Sequence, residues 1–276
     1  MIDVLNKICQ QKRTLIDERS LQFSESYLEQ LADRQSPPRG FVRALKNSLN
    51  SGSYGLIAEI KRASPSSGLI RQEFNIKALA KSYELGGATC LSVLTDTPNF
   101  QGDDQHLVQT REAVELPVIR KDFMIDPYQI LESRAIGADC VLIIMAALSN
   151  NTAKMLYRCA KDLSMDVLVE VHNDEEMERA LDLDPDLVGI NNRNLKTLKV
   201  DLKTTESLVP MTPDGAVVVS ESGLHNNNDL RRMSAVGANC FLVGETLMRQ
   251  KDLTKAVKEL LGDNTHCKPL TAYSYE

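Results

Sequence analysis

Short, nearly continuous apolar runs recur along the chain from residue 56 onward, at 56–61, 90–95, 118–121, 140–144, 167–171, 187–191, 216–221 and 240–244. They are rich in Val, Ile and Leu and alternate little, as strands of a parallel sheet buried on both faces do. Between most of them the spacing of apolar positions changes to that of amphipathic helices, at 76–85, 127–136, 151–163, 175–181, 202–208, 228–236 and 252–261. Asp126 followed by Pro127 marks a helix start, and Gly137 marks its end. The fragments Gly86-Gly87-Ala88, Gly137-Ala138-Asp139 and Gly237-Ala238-Asn239 each precede a strand, as one helix-to-strand turn used three times would. Eight strand–helix alternations predict an α/β protein, a (β/α)8 TIM barrel. Residues 1–50 do not follow the repeat; 5–15, 24–33 and 41–48 read as an N-terminal helical extension broken by Pro37, Pro38 and Gly40. Residues 263–276 are polar and read as a flexible tail. The expectation is therefore one barrel domain over 1–276.

Length agrees, since a barrel of this kind takes roughly 250 residues as one unit. A hydrophobic fraction of 42% and a charged fraction of 25% are those of an ordinary soluble globular chain. The net charge of -6 leaves no basic footprint for nucleic acid. It does not exclude an anionic substrate, because local charge in a site governs that binding. Cys9, Cys90, Cys140, Cys159, Cys240 and Cys267 show no CxxC spacing and read as free thiols in a reducing compartment. His106, His172, His225 and His266 form neither HxxxH nor HExxH, so no metal site is expected. The opening MIDVLNKICQQKR does not read as a signal peptide, so none is expected, and no apolar run approaches a membrane span. The expectation is a cytoplasmic protein, a monomer or weak homodimer, with neither a membrane nor a nucleic-acid partner.

In this fold, chemistry sits at the C-terminal ends of the strands. The first run, Leu56-Ile57-Ala58-Glu59-Ile60-Lys61, puts Glu59 and Lys61 on one face by alternation. The third ends at Lys121, the fifth at Glu170, the sixth at Asn191 and the seventh at Glu221. Two residues back from these four stand Ile119, Leu168, Gly189 and Val219, plausible barrel-interior positions. Independent strands thus deliver ionisable or amide groups to one rim. Lys121 needs a carboxylate beside it if it is not to be an unpaired buried charge, and Glu59 and Glu170 are the expected partners. Ser220-Glu221-Ser222-Gly223 and Leu242-Val243-Gly244-Glu245 end the last two strands ahead of helices, the loops whose N–H groups commonly hold phosphate in barrels. The residues alone reach a phosphate-binding barrel with two lysines and three glutamates at its mouth.

The ordered motifs then become specific. Ile57-Ala58-Glu59-Ile60-Lys61-Arg62-Ala63-Ser64-Pro65-Ser66, Leu91-Ser92-Val93-Leu94-Thr95-Asp96 with Phe100 and Gly102, and Pro117-Val118-Ile119-Arg120-Lys121-Asp122-Phe123 resemble the first three strands of indole-3-glycerol-phosphate synthases. Leu168-Val169-Glu170-Val171-His172, Gly189-Ile190-Asn191-Asn192-Arg193-Asn194-Leu195 and Ser220-Glu221-Ser222-Gly223 continue the resemblance, which runs in order from about residue 40 to 250. It implies ring closure of an anthranilate N-linked to an opened deoxyribulose phosphate, with loss of CO2 and water and without a cofactor, in tryptophan biosynthesis. It implies Lys121 as the acid of ring closure, and Lys61 with Glu59 as the acid–base pair of dehydration. Glu170 would tune Lys121, and Asn191 and Glu221 would orient substrate hydroxyls. Ser64, Ser222, Gly223, Gly244 and the backbone of Glu245 would hold phosphate. Arg193 would meet the anthranilate carboxylate, and Phe100, Phe123 and Leu142 would sandwich its ring. Glu245 stands where some members carry Ser, so its carboxylate is expected to point away from the phosphate. The Ser- and Gly-rich loop 62–70 reads as a lid. A phosphosugar isomerase, a Schiff-base aldolase using Lys121 and a non-enzymatic phosphate-binding barrel remain as alternatives at this point.

Overall fold

The computed structural model describes residues 4–262. Eight parallel strands form the barrel: β1 Gly55–Ile60, β2 Cys90–Leu94, β3 Val118–Lys121, β4 Cys140–Ile144, β5 Asp166–Val171, β6 Leu187–Asn191, β7 Val217–Glu221 and β8 Cys240–Val243. Each pairs with its sequence neighbour and β8 closes on β1, so no strand edge is left open. The apolar runs predicted these strands within a residue or two, because both faces are covered and nearly every strand position is buried. The register sets rim residues side by side: Glu59 with Ser92, Leu94 with Lys121, Ile144 with Glu170, and Asn191 with Glu221.

Helices α1 Val4–Gln22, α2 Glu25–Arg34 and α3 Phe41–Asn50 precede the barrel. Around it run α4 Ile76–Gly86, α5 Asp104–Ala113, α6 Pro127–Ala135, α7 Asn150–Asp162, α8 Asp174–Leu181, α9 Lys203–Leu208, α10 Asn227–Ala235 and α11 Leu253–Leu261. Asp126, Ser149, Asn173 and Asn226 cap α6, α7, α8 and α10 by accepting backbone N–H bonds, which fixes where the rim loops turn into helices. α3 covers the N-terminal end of the barrel with Phe41, Leu45 and Leu49 buried. Val42 N–H donates to Asp166 there, at 2.9 Å.

The structure departs from the sequence reading in three places. α1 runs well past residue 15: its polar second half is held by Arg19 pairing with Asp104 and Glu132, contacts that no periodicity reveals. α5 was not foreseen, because its buried face includes Thr110 and Arg111 beside Leu107 and so lacks an apolar stripe. Loop 62–70 contains a two-residue hairpin, Ala63–Ser64 against Gly68–Leu69. The expected tail at 263–276 lies outside the described residues. Cys267 and His266 lie there too; Cys90, Cys140 and Cys159 are free thiols. No described helix is long and apolar enough to cross a membrane.

Candidate active site

Lys121 stands at the centre of the barrel mouth. Its Nζ is 3.0 Å from Glu170 Oε2 on β5 and 3.0 Å from Glu221 Oε2 on β7. The second partner differs from the expected one. Glu59 instead pairs with Lys61, at 2.8 Å, and accepts from Ser92 Oγ at 3.3 Å. Lys61 follows β1 directly and bends back over Glu59, whereas Glu221 comes from the far side of the closed barrel. Glu221, expected to orient substrate hydroxyls, therefore shares the Lys121 ammonium. Asn191 links the groups: its Nδ2 donates to Glu170 Oε1 at 3.2 Å, and its Oδ1 accepts from Ser222 Oγ at 2.9 Å and Arg193 N–H at 3.0 Å.

Burial makes these charges interact strongly. Desolvation works against the charged amine of Lys121, but Glu170, Glu221 and the more distant Glu59 outweigh it and push the amine well above the ordinary lysine range. Burial likewise works against ionisation of Glu59, yet Lys61 and Lys121 draw it below the usual carboxylate range. Glu170 is also lowered, the desolvation cost being outweighed by Lys121 and then His172. Glu221 goes the other way, to about 8, because burial and the Glu170 anion outweigh its share of Lys121. Two carboxylates that share one ammonium are thus driven apart in their proton affinity.

Two cavities open above this centre and share Glu59, Lys61, Arg193, Ser222 and Leu242 in their walls. The first, about 170 Å³, is walled by Phe100, Phe123 and Leu142 and reaches Lys121, Glu170 and Asn191. Phe100 and Phe123 lie 6.3 Å apart between ring centroids. A space near 150 Å³ takes one benzene ring. The second cavity, about 660 Å³, is polar and lined by Ser66, Ser67, Gly223, Gly244 and Glu245. Gly223 there has φ +79°, which favours glycine, and a Cβ on it would strike Val200. At Gly244 φ is ordinary, and what excludes a side chain is Glu59, whose Oε1 would lie 2.5 Å from a Cβ. Glu245 begins the one-turn helix Glu245–Met248. Its carboxylate accepts from Ser67 Oγ at 2.9 Å and pairs with Arg249 at 2.7 Å. Ser67 is well placed to attract it from the hairpin opposite. Ser64 is turned into its own hairpin, accepting Ser67 N–H at 3.2 Å, and does not line either cavity. Its neighbours Ser66 and Ser67 do, a distinction that a Ser-rich loop conceals at the level of sequence. Arg193 lines both cavities, with one guanidinium nitrogen on Leu198 O at 3.2 Å.

Sequence reasoning also passed over the groups behind the site. Lys12 of α1 pairs with Asp96 at 2.9 Å and Asp122 at 2.6 Å, beneath the turns that carry Phe100 and Phe123. A cavity of about 340 Å³ lies beside it under α1, lined by Arg19, Arg120, Asp104 and Glu132, charges already paired with one another. His172 lies buried against Glu170. Its place two positions past Glu170 was the available signal.

Comparison with known proteins is concordant with this geometry. The family described as indole-3-glycerol phosphate synthase matches residues 5–260. A relative of that name from Azospirillum brasilense is 57% identical over 261 residues, 95% of this chain and 100% of its own. One from Rhodospirillum rubrum is 52% identical over 263 residues, again 95% and 100%. Among solved structures, 3-hexulose-6-phosphate synthase from Salmonella typhimurium superposes with TM-score 0.61 at 11% identity, over 75% of this chain and 96% of that one. The N-acetylmannosamine-6-phosphate 2-epimerase from Clostridium perfringens gives 0.58 at 16%, over 75% and 93%. At such identities these two bear on the fold alone.

Proposed function

The chain belongs to the indole-3-glycerol phosphate synthase family, and from that premise we propose that it converts 1-(2-carboxyphenylamino)-1-deoxyribulose 5-phosphate to indole-3-glycerol phosphate, a carboxy-lyase step of tryptophan biosynthesis in the cytoplasm. The observation that carries the reading is the order of chemistry along the joined cavities: an aromatic slot, a caged ammonium, then a polar, glycine-edged pocket. That order suits an anthranilate ring, a ketone and a terminal phosphate on one extended substrate. The substrate's phenyl ring enters between Phe100, Phe123 and Leu142, with Arg193 at its carboxylate. Ser222, Gly223, Gly244 and the N–H of Glu245 hold the phosphate, together with Ser66 and Ser67 and, at one remove, Ser64.

The ring carbon bearing the carboxylate attacks the ketone carbon, and Lys121 gives a proton to the ketone oxygen as the carbon–carbon bond forms. Loss of CO2 returns the electron pair to the ring. Lys61 then protonates the departing hydroxyl, and Glu59 takes the proton whose loss completes the pyrrole. Asn191, bonded to both Glu170 and Ser222, holds the two ends of the site in register. Lys121 kept as an ammonium favours this role over that of a Schiff-base nucleophile, which needs the free amine. The test is direct. Purified protein incubated with the carboxyphenylamino deoxyribulose phosphate should generate indole fluorescence; a protein that leaves the substrate unchanged does not carry this activity.

A further inference from the structure

His172 follows the last residue of β5, and its ring is 6% exposed. Both ring nitrogens face carboxylates: Nδ1 is hydrogen-bonded at 2.9 Å to Glu176 Oε2, and Nε2 is 3.2 Å from Glu170 Oε1 in an off-axis ion pair that makes no hydrogen bond. A carboxylate only accepts, so a neutral ring would leave a lone pair beside one of the two anions. Glu176 is itself fixed. One oxygen also accepts His172 N–H at 2.9 Å, and the other accepts Asn173 Nδ2 at 2.8 Å, while Asn173 caps α8 by accepting Glu176 N–H. The cap of the helix after β5 thus holds an anion on the far side of the imidazole. On the near side Glu170 faces His172 and Asn191 with Oε1 and Lys121 with Oε2.

We propose that His172 is a positioning residue, an imidazolium clamped between Glu176 and Glu170 that keeps Glu170 ionised and aimed at Lys121, so that Glu221 is the carboxyl of the pair that takes a proton. This deepens the reaction proposed above, and its kinetic arm rests on that reading. Lys121 is faced by Glu170, Glu221 and, further off, Glu59; Glu221 is faced by Lys121, Glu170 and Glu59; His172 is faced by Glu170 and Glu176. Two anions around one ammonium in a buried site raise each other's proton affinity, and the second cation beside Glu170 favours its ionisation over that of Glu221. Glu221 has no such helper, and its Oε1 is buried with no hydrogen-bond partner among the described residues. The proton affinities agree in direction: burial would weaken the imidazolium, but the carboxylates of Glu170 and Glu176 together raise His172 to about 10.

Nitrogen–proton correlation spectra of the full-length protein test the clamp without turnover, with His172→Gln assigning the signal by its loss. At pH 8 both ring nitrogens of His172 should carry a proton, and Glu176→Gln should bring the ring's titration down toward the ordinary histidine range. In kinetics, removing a cation from beside Glu170 raises the pH at which that carboxyl ionises. The acid limb of the kcat–pH profile should therefore move upward by about one pH unit in His172→Gln. At pH 7, kcat should fall on the order of tenfold, with KM less affected. Glu176→Gln leaves the imidazole in place and should move the limb the same way by less, which preserves the test if His172→Gln folds poorly. A ring with one proton at pH 8 in the wild-type protein, or an acid limb unmoved in both variants, overturns the proposal. Absence of indole formation by the wild type would sink the reaction instead, and the ring's protonation would then decide the clamp by itself.

Discussion

At the level of single residues, the site is arranged so that each charge depends on a neighbour. Replacing Lys121 by Met keeps the stem and removes the proton. Saturating-substrate kinetics should show kcat lower by at least about a hundredfold, with a product-like phosphate ligand still bound; near wild-type kcat would pass the role of acid to Lys61. Gly244→Ala tests the positioning of Glu59. Its φ is negative, but the new Cβ would lie 2.5 Å from Glu59 Oε1, and the carboxylate must move off by about 1 Å to reach ordinary contact. A shift of that size at a reacting group costs on the order of a hundredfold in rate, so kcat should fall, beyond whatever the added methyl does to phosphate affinity through KM. If Gly244→Ala is fully active, Glu59 is not the base. Alternation along each strand was enough to place Glu59, Lys121, Glu170, Asn191 and Glu221 at one rim from sequence. It was silent on which carboxylate meets which amine, because that depends on the diameter of the closed barrel and on Lys61 folding back from the strand end.

Among the elements, the strands were legible because both faces are buried, and the helices whose packing is apolar were legible with them. The second half of α1, and α5, were not, because they are held by ions rather than by an apolar stripe. Arg19, paired with Asp104 and Glu132, is an example, and ions tie the first half of α1 as well: Lys12, Asp96 and Asp122 are three buried charges from α1 and the ends of two strands, with side chains at most 8% exposed. Burial works against both partners, but Asp122 still falls below its ordinary range, chiefly through Lys12 and then Arg120, and Lys12 rises through Asp122 and Asp96. Lys12→Met should leave two buried carboxylates short of a cation and reduce unfolding stability by about 3–5 kcal/mol in urea titrations. It should also raise KM, since the turns carrying Phe100 and Phe123 rest on those aspartates. The sign with pH follows from Asp122: a carboxylate depressed in the fold stabilises above its unfolded pKa and stops doing so as pH falls through the folded value. The difference between wild type and Lys12→Met should therefore be full at neutral pH and shrink on acidification below about pH 4. A difference that persists undiminished into strong acid would mean that packing of the lysine stem, not charge, holds α1.

Over the whole molecule, the barrel separates chemistry from support by its two ends. The top carries the paired lysines and the two joined cavities. The bottom, where the strands begin, is tied by Asp139, which follows the α6-to-β4 turn. Its carboxylate accepts from Arg111 at 2.7 Å, from Arg39 N–H at 2.7 Å and from Val118 N–H at 2.8 Å, so it joins α5, the segment before α3 and the start of β3. It is 0% exposed, and Arg111 beside it is also buried. The strand between these ends, β3, is four residues long and spans roughly 13 Å at about 3.3 Å per residue. That distance, through close-packed side chains, should keep a loss at the bottom from reaching the geometry at the top. Asp139→Ala removes an acceptor for two backbone N–H groups and leaves the Arg111 guanidinium buried without its anion. Breaking a buried pair in this way costs about 3–5 kcal/mol, and urea unfolding should show a loss of that size. Kinetics of the protein that remains folded at low temperature should still give kcat and KM within about threefold of wild type, because every group at the mouth keeps its partners. Lys121→Met should show the opposite pattern, with activity gone while the bottom remains tied. If Asp139→Ala instead lowered kcat by orders of magnitude without loss of stability, the two ends would be coupled through the strands, and the bottom of this barrel would have to be counted as part of its catalytic apparatus.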